Sequence, residues 1–544
     1  MKIFDALVSY GPCSWRPTQE KWRLADLVAD MDYVGISGAL VRHAQCYSHD
    51  AMAGNRRLVK EIAAERERLF PCWVVGPHHM GDFPTPAVLL REMDKCGVRA
   101  VQILPARHNY PVHEDFLGEL AAALNERQVP VLVYNEDMHG NYEAWKTLCG
   151  MFHNCPIIMA GSNWGEWRLV DGCMRAVPNL YLLFHRFQGH RAVEEIAARF
   201  GVERCLFGSG LPQMSGGAAR AFVDWSFLPQ GGVSAFAGGN LARLLGVKLS
   251  ALPDVPAAAD PVMAAARQGK AVAGRVLDAH CHVLDNGGCG VGAGYVMPEG
   301  DAAGILRVFD RCGINGVAMM TWQGPVGLDA AAGNELMHRI VKKHGERVLG
   351  VTSVDPLHQD KATMLRALRQ GLRKGFPGIK PYWPRNRIAY NDALYDPCWE
   401  FANKYGLYAL LHTSGDRSGV ASVIDIARRY PDASFLIAHS CGGWDYAELV
   451  AEACQAVPNI YAEITLTPVP NGIIEWMCGA AGVDRVLFGT DAPMRDPRPQ
   501  LGWVVNSRLS VADKQRVLGD NFAAVLARIK WPDGKSLLPQ LFKG

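Results

Sequence analysis

The sequence predicts an α/β chain built as two tandem TIM-like (β/α)₈ barrels. Length comes first: 544 residues leave room for two barrels of about 250 residues each. A repeat comes second, because short motifs of the first half return in the second in unchanged order. Third, short apolar runs alternate with amphipathic helical stretches. That alternation implies a parallel sheet with crossover helices, and eight units in about 250 residues suit a closed barrel better than an open sheet.

The repeat sets the boundaries. Val177-Pro178-Asn179-Leu180-Tyr181 returns as Val457-Pro458-Asn459-Ile460-Tyr461, and Leu206-Phe207-Gly208-Ser209-Gly210 returns as Leu487-Phe488-Gly489-Thr490-Asp491. Gly239-Asn240-Leu241 parallels Asp520-Asn521-Phe522, Gly97 matches Gly375, and residues 131–134 match 409–412. The offsets stay between 278 and 281 residues, so the halves read as homologous copies. The first spans 1–247 and the second 275–544. Residues 248–274 read as a linker, Ala/Pro-rich and semi-rigid over 252–261, with one short helix expected over 263–274.

In the second half, strands are expected over 275–278, 316–320, 348–354, 378–381, 408–412, 434–439, 460–464 and 485–489. Amphipathic helices over 361–374 and 396–405 lie between them. These apolar runs end in polar residues, which a barrel collects at the C-terminal rim where active sites sit.

Composition narrows the function. Apolar residues make up 49% and charged residues 20%, as in ordinary globular proteins. Lys plus Arg is 56 against 54 Asp plus Glu, a net charge of +2. That balance argues against a nucleic-acid partner and against a polybasic membrane anchor. No apolar run approaches the ~20 residues of a membrane span. The start, Met1 to Val8, meets Asp5 at once and lacks a signal-peptide core. A cytoplasmic location is therefore expected. The fifteen cysteines, none in a CxxC pair, read as reduced and mostly buried.

The second-half strand ends carry Asp278-Ala279-His280-Cys281-His282, then Lys380, His412, His439 and Asp491. Side chains alternate along a strand, so an H-x-H aims both imidazoles into the barrel mouth. A further His and an Asp from other strands can converge there. Such a nitrogen and oxygen set suits one divalent metal, Zn²⁺ first, with Mn²⁺ or Fe²⁺ as alternatives.

These motifs resemble the amidohydrolase superfamily. Leu277-Asp278-Ala279-His280-Cys281-His282 is similar to its opening D-x-H-x-H. Gly378-Ile379-Lys380-Pro381, Leu411-His412-Thr413, Ala438-His439-Ser440 and Phe488-Gly489-Thr490-Asp491-Ala492-Pro493 resemble its motifs at strands four, five, six and eight. The similarity is to the amidohydrolase-related branch, which includes aminocarboxymuconate-semialdehyde-type decarboxylases and assorted hydrolases. It covers 275–530 and, more weakly, 1–247. The resemblance implies His280, His282, His412 and Asp491 as metal ligands, with His439 and Asp491 as the acid/base groups. Asp278 would hydrogen-bond a ligand imidazole to fix its tautomer. Lys380 is either a polar neighbour of the site or, as in binuclear members, a carbamylated bridge to a second metal. Cys281 and Cys441 read as core.

The first half lacks this set. Asp5 keeps the place of Asp278, but Leu7, Ser9, Gln102, Tyr134, Gly161 and Gly210 stand for His280, His282, Lys380, His412, His439 and Asp491. His43 and the pair His78-His79 read as core or loop histidines. The first barrel is expected to be a silent pseudoenzyme domain acting as a built-in partner in an intramolecular pseudo-dimer. A higher homo-oligomer remains open. Trp164, Trp167 and Arg168 mark an alternative, a ligand site in that barrel.

Loops of the second half carry Trp322, Tyr382, Trp383, Arg385, Arg387, Trp444, Glu463 and Arg495. Aromatics with arginines suit a small anionic or ring-shaped substrate. Trp322, Tyr382, Arg385, Trp444 and Glu463 are the expected substrate contacts. The expected function is metal-dependent hydrolysis of an amide, lactone or ester of a small carboxylated or ring compound, through a metal-activated water. The alternative is metal-dependent, non-oxidative decarboxylation of an aromatic or unsaturated acid. A non-enzymatic binding protein fits less well, because five catalytic-type residues survive together in one half.

Overall fold

The computed structural model describes residues 1–13, 21–287, 294–413, 415–467 and 469–543. The chain divides into two compact units, one of Met1–Ala259 with Gly294–Val296 and one of Asp260–Ala293 with Met297–Gly544. Each contains eight parallel strands whose order in the sheet follows the chain.

The first barrel runs β1 Phe4–Tyr10, β2 Gly38–His43, β3 Leu69–Val74, β4 Ala100–Gln102, β5 Val131–Tyr134, β6 Ile157–Ala160, β7 Leu180–Phe184 and β8 Cys205–Phe207. The second runs β9 Leu277–Val283, β10 Gly316–Thr321, β11 Val348–Ser353, β12 Gly378–Lys380, β13 Tyr408–Leu411, β14 Ser434–Ile437, β15 Ile460–Glu463 and β16 Val486–Leu487. Nearly every strand residue is buried, because helices cover the outside and side chains fill the inside. In the first barrel Leu7, Leu40, Leu132, Ile158 and Leu206 belong to one apolar cluster. Ile3, Val8, Val41, Trp73 and Val131 join helix residues such as Leu27 and Leu117 in another.

Each first strand hydrogen-bonds the segment after the eighth. Ser9 N–H donates to Leu211 O and Gly210 N–H to Leu7 O, both at 3.0 Å. In the second barrel Thr490 N–H donates to His280 O at 3.2 Å and His282 N–H to Ala492 O at 2.6 Å.

The repeated motifs have structural duties. The Asn179 amide reaches the carbonyls of Cys149, Phe152 and Cys155, and Asn459 reaches those of Ala427, Tyr430 and Ala433. Asn240 and Asn521 likewise hold the turn before the eighth strand. Buried carbonyls left over at helix ends and turns need donors, and these asparagines supply them. Helices after β9, β10, β11 and β13 each start on an aspartate, Asp301, Asp329, Asp360 or Asp416. Its carboxylate accepts a first-turn amide, as the strong N-cap preference for Asp anticipates.

Two elements depart from the sequence reading. β9 continues to Val283 instead of stopping at 278, because its polar histidines are buried in the barrel mouth and do not end the strand. The linker helix is Pro261–Arg267, capped by Asp260, so it starts earlier and ends sooner than 263–274. Among the described residues no helix is long and apolar enough to cross a membrane, and the cysteines from Cys46 to Cys281 and from Cys312 to Cys478 form no disulfide.

Candidate metal centre

His280 and His282 stand two residues apart on β9 and are 1% and 3% exposed. Asp491 follows β16 and is equally buried. His280 Nε2 lies 3.5 Å and His282 Nε2 3.4 Å from Asp491 Oδ1. That oxygen makes no hydrogen bond among the described residues. The other carboxylate oxygen is paired with the buried guanidinium of Arg495.

The protonation pattern says what belongs between these atoms. His280 Nδ1 faces Glu463 Oε2 at 2.8 Å. Glu463 also accepts from the backbone N–H of His439 at 3.3 Å, the backbone N–H of Thr465 at 2.8 Å, and the Thr465 hydroxyl. The Glu463 oxygens are therefore acceptors, and the His280 proton sits on Nδ1. This leaves a bare lone pair on Nε2 pointing at a carboxylate oxygen. Two acceptors so close repel unless a cation lies between them. Burial pushes His280, His282 and His439 well below their ordinary pKa and His412 down to about 3. All four imidazoles are thus in the neutral, ligating form. The donor set fits a divalent ion.

His439 and His412 complete the cluster. His439 Nδ1 donates to the Thr465 carbonyl at 2.6 Å, which turns its Nε2 lone pair outward. Its ring centroid lies 5.0 Å from that of His280 and 4.7 Å from that of His412. The tightest sets of ligand atoms are His280, His282 and Asp491, and His280, His439 and Glu463. His412 stands just outside both, beside His439.

Several expected roles differ in the structure. Asp278 does not touch an imidazole. Its carboxylate accepts from the His280 backbone N–H at 2.9 Å, the Thr490 N–H at 3.0 Å and the Thr490 hydroxyl. Glu463 does what was expected of Asp278. It is fully buried and hydrogen-bonded to His280, so it orients that imidazole. Gly489 makes this possible, since a Cβ there would meet Glu463 Oε1 at 2.4 Å. Arg495, expected at the rim, is committed to Asp491. The signal for Glu463 was a charged residue ending an apolar strand, and alternation alone left its face undecided.

Lys380 ends β12 fully buried, and its Nζ has no hydrogen-bond partner among the described residues. Burial lowers its pKa to about 7, against the pull of Glu463. The Nζ lies 5.7 Å from the Tyr382 ring centroid. Aromatic walls back the histidines: Trp322 meets His282 edge-on at 5.4 Å, and Tyr382 meets His412 at 5.3 Å. Trp444 is half-buried and packs on Trp476. Arg385 and Arg387 are exposed. Cys281 and Cys441 are fully buried, their thiols pushed well up by burial.

The mouth of the first barrel is different. Arg42 is 1% exposed and donates to the Val8 carbonyl at 3.0 Å, with Asp5, Tyr47, Cys72 and Tyr134 around it. A buried guanidinium among these groups repels a metal ion.

A parallel barrel whose C-terminal rim gathers neutral histidines around a buried carboxylate has the donors to hold a divalent metal at the usual site of that fold. The sequence profile of the amidohydrolase family matches residues 18–247 and 277–528. The chain belongs to the amidohydrolase family, as a tandem duplication. No curated protein matches it. Among solved structures it is similar to 5-carboxyvanillate decarboxylase from Sphingomonas paucimobilis, at 15% identity over 47% of this chain and 99% of that one, TM-score 0.37. It is similar to 2,6-dihydroxybenzoate decarboxylase from Rhizobium with the same four values. It is also similar to 4-oxalomesaconate hydratase from Rhodopseudomonas palustris, at 18% identity over 46% and 96%, TM-score 0.36.

Proposed function

We propose that the second barrel is a metal-dependent hydrolase acting on an amide, lactone or ester bond of a small carboxylated or ring compound. One observation carries this reading: the bare His280 Nε2 and the unbonded Asp491 Oδ1 face each other beside a second neutral imidazole. His280, His282 and Asp491 would hold the metal, with His412 and His439 alongside. A divalent metal in such a site supplies Lewis acidity and activates water.

The chain's own groups then divide the proton work. Asp491 would be the carboxylate that receives the water's proton, with Arg495 paired to its Oδ2. His439, held by the Thr465 carbonyl, presents Nε2 to the substrate oxygen or to the water. Glu463 locks the His280 tautomer. Trp322 and Tyr382 exclude water from the imidazole edges and give a ring a flat surface. Those two walls also favour the second reading, decarboxylation of an aromatic or unsaturated acid, which would use the same ligands.

Metal analysis of the purified chain tests the site. About one Zn or Mn per chain is expected, and His280→Ala should lose it. A His280→Ala variant that retains full metal would overturn the assignment. A screen of lactones, esters, amides and aromatic acids, read as carboxylate release against CO₂ release, separates the two chemistries.

A further inference from the structure

The first barrel carries a second opening, off the strand interior. Tyr10 follows Ser9, the counterpart of His282, and so sits on the opposite face of β1. It lines a cavity of about 340 Å³ together with Trp22, Arg23, His43, Arg57 and Glu61. Leu24 and Ala25, the first two residues of the helix Leu24–Val34, complete the wall.

The walls hold a donor in need of an acceptor. Tyr10 is 3% exposed and His43 is fully buried. His43 Nε2 has no hydrogen-bond partner among the described residues, whereas the Tyr10 hydroxyl faces the Glu61 carboxylate. The Gln45 backbone N–H donates to His43 Nδ1 at 3.1 Å, so the ring proton sits on Nε2. The nearest carboxylate, Glu61, is 4.0 Å from that nitrogen and is paired with Arg57 at 2.7 Å. Burying a donor without a partner costs on the order of 1–3 kcal/mol. Two guanidiniums stand over the cavity against one lining carboxylate. Asp26, in the first turn of the helix, is turned onto the Arg23 N–H at 3.0 Å. The helix start adds a partial positive charge of its own.

We propose that this cavity binds the oxyanion of a small ligand, a carboxylate or a phosphoryl group. His43 Nε2 and Arg57 supply the donors, and Trp22 supplies a flat wall for the ligand body. The site is independent of the metal centre, and its test does not read activity.

The full chain is titrated calorimetrically with inorganic phosphate, acetate and benzoate. The comparison is the double variant Arg23→Ala/Arg57→Ala, whose side chains are 68% and 45% exposed in the native chain and whose loss leaves the core intact. Crystals are soaked separately in 4-bromobenzoate and tungstate. The expected result is saturable binding of at least one probe, weakened about tenfold or more in the double variant, with the heavy-atom signal between Trp22 and His43. Preference for phosphate assigns a phosphoryl ligand, and preference for benzoate over acetate assigns a carboxylate on an apolar body. The proposal fails if no probe binds below about 10 mM, if the double variant binds equally well, or if heavy atoms appear only in the second barrel.

Discussion

Asp5 and Asp278 hold the same place in the two barrels and make the same bonds. Asp5 accepts from the Leu7 N–H at 2.8 Å and the Ser209 N–H at 3.0 Å, as Asp278 accepts from His280 and Thr490. The first barrel has no imidazole at residue 7 to orient, yet it keeps the aspartate. Its duty is therefore to tie the first strand to the turn after the eighth. Glu463 tells the opposite story. Its counterpart is Leu183, packed against Gly208 as Glu463 is packed against Gly489. The first barrel has neither this carboxylate nor the imidazole it holds.

Backbone conformation separates the barrels in the same way. His439 and Asp491 have φ of 63° and 53°, in the left-handed region that side chains avoid. Their counterparts, Gly161 and Gly210, keep the conformation with φ of 77° and 74° and carry no such strain. The second barrel bears strain at two residues of the candidate site, a common correlate of function. At the matching positions of the first barrel glycine meets the same backbone without that penalty.

Four substitutions sharpen the contrast. Glu463→Gln should weaken metal binding about 10–100-fold, the usual effect of losing a carboxylate behind a ligand histidine, as measured by chelator competition. Unchanged affinity would return Glu463 to a packing role. Asp5→Asn should act on pH dependence. Burial raises the Asp5 pKa to about 6. Its contribution to stability is therefore full below about pH 4 and is lost as pH rises through about 6. Asparagine keeps the acceptor oxygen and should flatten that slope in thermal unfolding. In metal-free protein Asp278→Asn should flatten a wider window, since Asp278 is raised to about 8. The smallest effect is Gly210→Ala, which should cost about 1 kcal/mol in denaturant unfolding, with no change in metal content.

The fold was legible because a barrel repeats its pattern eight times, and this chain repeats the barrel. His280, His282, His412, His439 and Asp491 were legible because they end strands at regular spacing. What stayed hidden depends on which face a strand-end residue takes and on who else claims it. Glu463 looked like a rim acid because alternation could not fix its face. Arg495 looked like one more rim arginine because nothing in its neighbourhood predicts the pairing with Asp491. His43 read as a plain core histidine, and only the cavity beside it shows that its Nε2 proton has no acceptor.

The aspartate stitch also bears on how the protein is made. Asp5 and Ser209 are 204 residues apart in the chain, and Asp278 and Thr490 are 212 apart. Neither seam can close until the ribosome has produced nearly the whole of that half. Contacts of such sequence separation slow folding, and domains generally fold in order of synthesis. The first barrel can therefore be sealed while the second is still emerging, and a nascent chain stopped before residue 209 would hold an open sheet.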